Sequence, residues 1–162
     1  MKFLETEINE KIFKKTAIFF LILIFIFAFL ILIQYSVLKP FELDKRTDVD
    51  VEDIAAGVVV EQGSRMLELS GYAYKKGQKI EVFDSNFVIK NIETGKMYLF
   101  DTSMEKNHDL MAVDGEYDCS NAGMRAKAFI IGLRPGIYEI CIIYNNDGED
   151  IFKTTGVNIE IK

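Results

Sequence analysis

The chain has 162 residues, of which 49% are hydrophobic and 27% charged, and its formal net charge is −6. The acidic balance argues against nucleic acid and anionic lipid headgroups as partners, and fits neutral or cationic ligands. The cysteines number two and the histidines one; neither cysteine has a His or Cys at metal-ligand spacing, so no zinc site is expected.

Residues 1–15 carry four lysines and three glutamates and are expected to form a short cytoplasmic N-terminus. Ile8, Ile12 and Phe13 alternate with charges there, so a helix can continue along the membrane interface. The next 23 residues, 16–38, hold no charge, and 17–33 are Ala, Ile, Leu and Phe without exception. A bilayer-crossing helix needs about 20 such residues. A cleaved signal peptide has a shorter apolar region and a small-x-small exit; Gln34-Tyr35-Ser36-Val37-Leu38 offers none. The expectation is an uncleaved, single-pass signal anchor. Without Gly, Ser, Asn or an ionisable group at its centre, it reads as a tether and not as an ion or proton path. Lys2, Lys11, Lys14 and Lys15 precede it, and Lys39, Lys45 and Arg46 follow. That bias places the N-terminus inside and the remaining chain on the extracytoplasmic face of the cell membrane.

Residues 39–53 read as a charged linker, with a short strand beginning near Val49 and Val51. Five acidic and two basic residues between 44 and 53 keep such a segment solvated. Fully extended, it would reach about 50 Å.

Residues 54–162 are long enough for one core. Apolar runs recur every eight to twelve residues between turn residues, the pattern of an all-β antiparallel sandwich. Strands are predicted at 57–61, 65–73, 79–84, 86–92, 96–102, 124–131, 137–144 and 151–161. One hairpin joins 86–92 to 97–102 through Glu93-Thr94-Gly95-Lys96, where Gly95 supplies a positive φ. A second pairs 124–131 with 137–144 through Gly132-Leu133-Arg134-Pro135-Gly136. Alternation puts Tyr138, Ile140 and Ile142 on one face, opposite Ala126, Ala128 and Ile130. Ile140–Tyr144 is apolar on both faces, which calls for a central strand or an extra contact surface.

Candidate chemistry is sparse. His108 lies in the polar stretch Glu105–Asp109 and reads as an exposed loop histidine. Ser103 and Ser120 lack any nucleophile-elbow context, so no catalytic group and no enzyme activity is expected. Asp114, Glu116 and Asp118 alternate and are the one weak candidate for calcium. The EF-hand pattern and a further acidic ligand are missing, so a solvated loop is the plainer reading and no metal or cofactor is expected. Tyr72, Tyr74, Tyr98 and Tyr117, with Phe100, are candidates for stacking on sugars, against the alternative that they fill the core. Cys119 and Cys141 would close a loop of about 20 residues worth roughly 3 kcal/mol if bridged. The spacing leaves a disulfide and two separate thiols both open.

Four segments carry a resemblance. They are Gly71-Tyr72-Ala73-Tyr74 with Gly77; Ile89-Lys90-Asn91-Ile92-Glu93-Thr94-Gly95-Lys96-Met97-Tyr98-Leu99-Phe100; Tyr117-Asp118-Cys119-Ser120; and Leu133-Arg134-Pro135-Gly136-Ile137-Tyr138-Glu139-Ile140. In order and spacing, from Leu69 to about Tyr144, they resemble an Ig-like β-sandwich module found beside, or fused to, Gram-positive cell-surface glycan enzymes. Its hosts include membrane acyltransferases and glycosyltransferases of teichoic-acid or capsule-type polymers. The chain departs from the pattern between Tyr117 and Ala126, where Asn121-Ala122 is inserted. The resemblance implies binding or positioning of cell-envelope polysaccharide, or assistance to a membrane glycan-synthesis protein. It carries over no catalytic residue. A structural subunit of an envelope membrane complex, with the domain as a protein-binding face, is the alternative.

Overall fold

The computed structural model describes residues 2–44, 47–80, 84–111, 117–146 and 148–162. It divides into two units, residues 1–35 and 36–162.

The first unit is the helix α1 (Lys2–Ser36). From Ile12 to Ile31 it is long and apolar enough to span a membrane, and the side chains along that stretch are all exposed. A stretch so uniformly apolar has no polar face to turn to water. The polar first turns of α1 are tied locally: Lys14 pairs with Glu10 one turn away at 2.7 Å.

The second unit is mostly β. Its strands are β1 (Lys39–Phe41), β2 (Asp48–Val49), β3 (Ile54–Gln62), β4 (Met66–Lys75), β5 (Asn86–Asn91), β6 (Met97–Leu99), β7 (Thr102–Glu105), β8 (Gly123–Phe129), β9 (Gly136–Asn146) and β10 (Glu149–Ile161). They form a six-stranded sheet, β1-β6-β5-β9-β10-β2, and a four-stranded sheet, β3-β4-β8-β7. Among the described strands the pairings are antiparallel except β2 with β10, and the isolated Val37–Phe129 bridge is also parallel.

Alternation decides what each sheet buries. Leu67, Leu69 and Ala73 of β4 and Met124, Ala126 and Ala128 of β8 meet Phe87, Ile89, Tyr138, Ile140, Ile142 and Tyr144 from the larger sheet in one shared core. The Tyr138 hydroxyl donates to the Arg134 carbonyl at 2.9 Å, so its polar tip is satisfied inside. Ala126, Ala128 and Ile130, and Tyr138, Ile140 and Ile142, are the inward residues that the sequence pattern assigned.

Several expectations are corrected. First, 124–131 and 137–144 do not form a hairpin: β8 belongs to the four-stranded sheet and β9 to the six-stranded one. Residues 130–135 arch between the sheets, so the two apolar faces meet across the core. Second, the 96–102 run breaks at Phe100. Its N–H still bonds the Phe87 carbonyl at 3.0 Å, and Thr102 then starts β7 in the opposite sheet. Residues 79–80 and 84 of the strand expected at 79–84 are not in a strand, and 81–83 lie outside the described residues.

Third, 39–53 is not a linker throughout: 39–41 and 48–49 are strands. Val37 bridges Phe129, Leu38 is buried in the shared core, and β1 pairs with β6. β1 lies at one edge of the large sheet and β2 at the other, so the chain passes from edge to edge between Phe41 and Asp48. Phe41 and Leu43 pack with Val88, Cys141, Phe152 and Ile143 on that sheet's outer face. This contact covers the second apolar face of β9. Residues 39–41 and 48–49 are in the sheets, so 39–53 is not one extended segment.

Candidate surface groove

Among the described residues, the outer face of the four-stranded sheet carries an open concavity. Strand register aligns Gly57, Tyr72, Gly123 and Glu105 in one row across β3, β4, β8 and β7. The next row is Val59, Ser70, Arg125 and Ser103. Tyr72 therefore stands between two glycines, and a sheet row lacking side chains on both sides of an aromatic leaves a hollow. With the turn residues Lys106 to Asp109 as a wall, it forms an open concavity of about 600 Å³.

Each glycine has a steric reason. A Cβ on Gly57 would come within 2.7 Å of Tyr72 Cε1, so the ring lies over that backbone. A Cβ on Gly123 would meet the Glu105 carbonyl oxygen at 2.5 Å and Asn107 Cβ at 3.1 Å. Gly123 thus lets the 106–109 wall fold against β8. That wall is pinned: Asn107 N–H donates to the Ser120 carbonyl at 2.7 Å. The Asn107 side chain accepts from Asp109 N–H at 3.1 Å and caps a 3-10 turn, His108–Leu110.

Tyr72 is held from one side by Tyr74, at a ring-centroid distance of 6.0 Å and an interplanar angle of 26°. Tyr74 is buried with Leu110, Cys119 and Ala122, which anchors the wall and the aromatic to one small cluster. Arg125 Nε lies 3.5 Å from Glu105 Oε1, both side chains partly exposed, so the guanidinium is oriented without being buried. Lys106, Arg125, Glu105, Asp109 and His108 rim the hollow. Opposite charges balance there. One aromatic, one hydroxyl and several oriented donors and acceptors suit a neutral or zwitterionic polyhydroxyl ligand.

The sequence candidates fall as follows. Tyr72 and Tyr74 come together; Tyr72 borders the hollow and Tyr74 lies beneath. Tyr98 sits on the other sheet, packed against the shared core and beside a separate groove of about 530 Å³ with Pro40, Phe41 and Leu43. Phe100 is buried in the core. Tyr117 is half-buried beside Cys119, whose thiol lies 3.8 Å from the Tyr117 carbonyl oxygen. His108 is exposed on the wall. Asp114 and Glu116 lie outside the described residues. Asp118 is exposed and bonds its own turn: its carboxylate accepts from Ser120 N–H at 2.8 Å. That backbone bond and the Ser120 side chain hold its carboxyl below the usual range. Among the described residues no group of three His, Cys, Asp or Glu is placed to hold a metal ion.

The disulfide left open by the spacing does not form. Cys119 and Cys141 are both buried thiols, Cys119 outside the four-stranded sheet and Cys141 outside the six-stranded one. Sheets pack about 10 Å apart, whereas bridged cysteines need Cα atoms within about 7 Å. Burial, with Glu139 nearby, pushes the Cys141 thiol up to about 12.

Sequence reasoning did not find Ser70, Glu105, Lys106, Asn107, Asp109 or Arg125. Ser70, the 105–109 stretch and Arg125 lie far apart along the chain, and strand register joins them. No protein-family model matches the chain, and comparisons with curated proteins and with solved structures return no match.

Proposed function

We propose that the chain is a membrane-anchored, extracytoplasmic, Ig-like β-sandwich module that binds or positions cell-envelope polysaccharide, and so serves a glycan-assembly enzyme without being one. The observation that carries this reading is the Tyr72 hollow. An amphipathic aromatic lies between two glycines, beside Ser70 and the charge-balanced pair Arg125 and Glu105. A sugar ring offers an apolar face to an aromatic and hydroxyls to flanking polar groups, and a shallow open groove admits a polymer that a closed pocket would not. Tethering by α1 keeps such a module at the membrane surface, where envelope polymers are assembled.

The alternative, a protein-binding subunit of an envelope complex, drew on the doubly apolar β9. The inner side chains of β9 join the shared core, and Phe41, Leu43 and Phe152 meet Cys141 and Ile143 on the outside. Both faces are thus accounted for within the chain, and the glycan reading is preferred.

The chain has seven tyrosines and no tryptophan, so its emission is tyrosine emission, and comparison with Tyr72→Ala isolates the part that comes from this surface. The full chain in mild detergent is titrated with neutral and with anionic wall oligosaccharides. A saturable emission change with the wild type, absent in the Tyr72→Ala variant, supports the reading. Identical titrations of both proteins contradict it.

A further inference from the structure

Among the described residues, the sheet unit exposes eight large apolar side chains, and five of them share one end: Val37, Ile92, Phe129, Ile131 and Ile137. This end gathers the 130–135 arch and the 92–95 turn. Ile92 N–H donates to the Ile137 carbonyl at 3.0 Å, so the two isoleucines are cross-strand neighbours. Ile131, 69% exposed, stands on the arch itself. The hollow around Tyr72 lies toward the other end of the same sheet, six residues further along β4 than the Met66–Phe129 pair.

Charge follows the same division. The chain is acidic overall, yet the exposed residues around this end include Arg65, Lys96, Arg134 and Lys162 against Glu93 and Glu160. Arg65 is part of the same structure, since its carbonyl accepts from Ile130 N–H at 3.0 Å. Exposed isoleucines ringed by basic side chains suit the boundary between acyl chains and phosphates. There, apolar groups enter about 5–10 Å and long basic side chains reach the headgroups.

Chain connectivity indicates what covers this patch. Ser36 ends α1, and the next residue, Val37, is already bridged to Phe129 at this end. Consecutive Cα atoms are about 3.8 Å apart. A chain that leaves the bilayer at Ser36 therefore enters the sheet unit at its apolar, basic end. We propose that this end is a membrane-contact surface, with Ile131 and Ile137 inserted at the headgroup boundary and Arg65 and Arg134 against lipid phosphates. The inference rests on α1 as a membrane span.

The test uses the full chain reconstituted in phosphatidylcholine vesicles, with and without phosphatidylglycerol. An environment-sensitive fluorophore is attached in the Ile131→Cys and Ile137→Cys variants, and in Met111→Cys as the control away from this end. The wild type, with its two buried thiols, gives the labelling background. Blue-shifted emission at 131 and 137, quenched by spin-labelled lipid and absent at 111, is the expected result. Strengthening by phosphatidylglycerol assigns the basic residues their role. Water-like emission at 131 and 137 in a chain that resists alkaline extraction overturns the contact surface and leaves the anchor standing. Release of the chain by alkaline extraction overturns both.

Discussion

The ring of Tyr72 lies across the backbone of Gly57, close enough that a Cβ on Gly57 would sit 2.7 Å from its Cε1. On the other side of Tyr72 in the same row is Gly123. The hollow is therefore a product of strand register, and changing either glycine changes it in a defined way.

Gly57→Ala and Gly71→Ala separate two kinds of glycine. At Gly57 the obstacle is the far end of a tyrosine, which can swing, so the variant loses less than about 1 kcal/mol. The ring moves, and near-ultraviolet circular dichroism of the tyrosines changes. At Gly71 a Cβ would run into the Gly57 carbonyl oxygen, which is backbone. That variant should lose about 3 kcal/mol. Thermal melts of the two variants, read beside the wild type, check the ordering.

Leu38 tests where the folded unit begins. It is buried in the shared core although only Val37 separates it from α1. Leu38→Ala should cost about 2–4 kcal/mol, measured by denaturant unfolding in detergent. A solvated linker residue would cost nothing measurable. By the same argument, a truncated piece starting at Ile54 lacks Leu38, β1 and the Phe41–Leu43 cover, and should be poorly folded.

Asp50 fastens the entry segment to β10. Its carboxylate accepts from the Thr154 N–H and from the Thr154 hydroxyl, each at 2.8 Å. Asp50 N–H donates to the Phe152 carbonyl at 2.9 Å, with Asp50 at φ 51°, a left-handed position that Asp tolerates better than most. Partial burial works to raise its carboxyl. The two Thr154 bonds and the charge of Lys153 outweigh this and hold it below the ordinary value of 3.8. A depressed folded-state pKa means stabilisation that is complete above the unfolded value and is lost as pH falls through the folded one. Asp50→Ala should cost about 1 kcal/mol near neutral pH, and the gap should shrink below about pH 4.

The thiols make a simple prediction. Because Cys119 and Cys141 lie outside opposite sheets, a reducing agent should leave the melting temperature unchanged. A thiol reagent at mild alkaline pH should find neither residue in the folded chain and both after denaturation, since both thiols are buried and that of Cys141 has a raised pKa. A reductant-sensitive melt would contradict the fold.

The sequence made the inward faces of β8 and β9 legible, because burial imposes a period of two on them. It marked the Gly95 turn, where φ is 70°, because few residues adopt that conformation. It did not show the role of 39–53. Two strands of three and two residues carry no period, and the charges of 44–53 mask Phe41 and Leu43. It could not tell an arch from a hairpin at 130–135, since both need the same turn residues. For the hollow, Gly71-Tyr72-Ala73-Tyr74 was a fair pointer to one side. Arg125, Glu105 and Ser70 were illegible because long-range register alone makes them neighbours.

The most direct test is pelleting of the full chain, in mild detergent, with cell walls isolated from its own source. Tyr72→Ala and Arg125→Ala are compared with the wild type, and free wall polymer serves as competitor. The account predicts saturable wild-type binding that the polymer displaces, weakened at least several-fold by either substitution without loss of fold. Wild-type protein that stays in the supernatant, or binding that both variants retain in full, would contradict it.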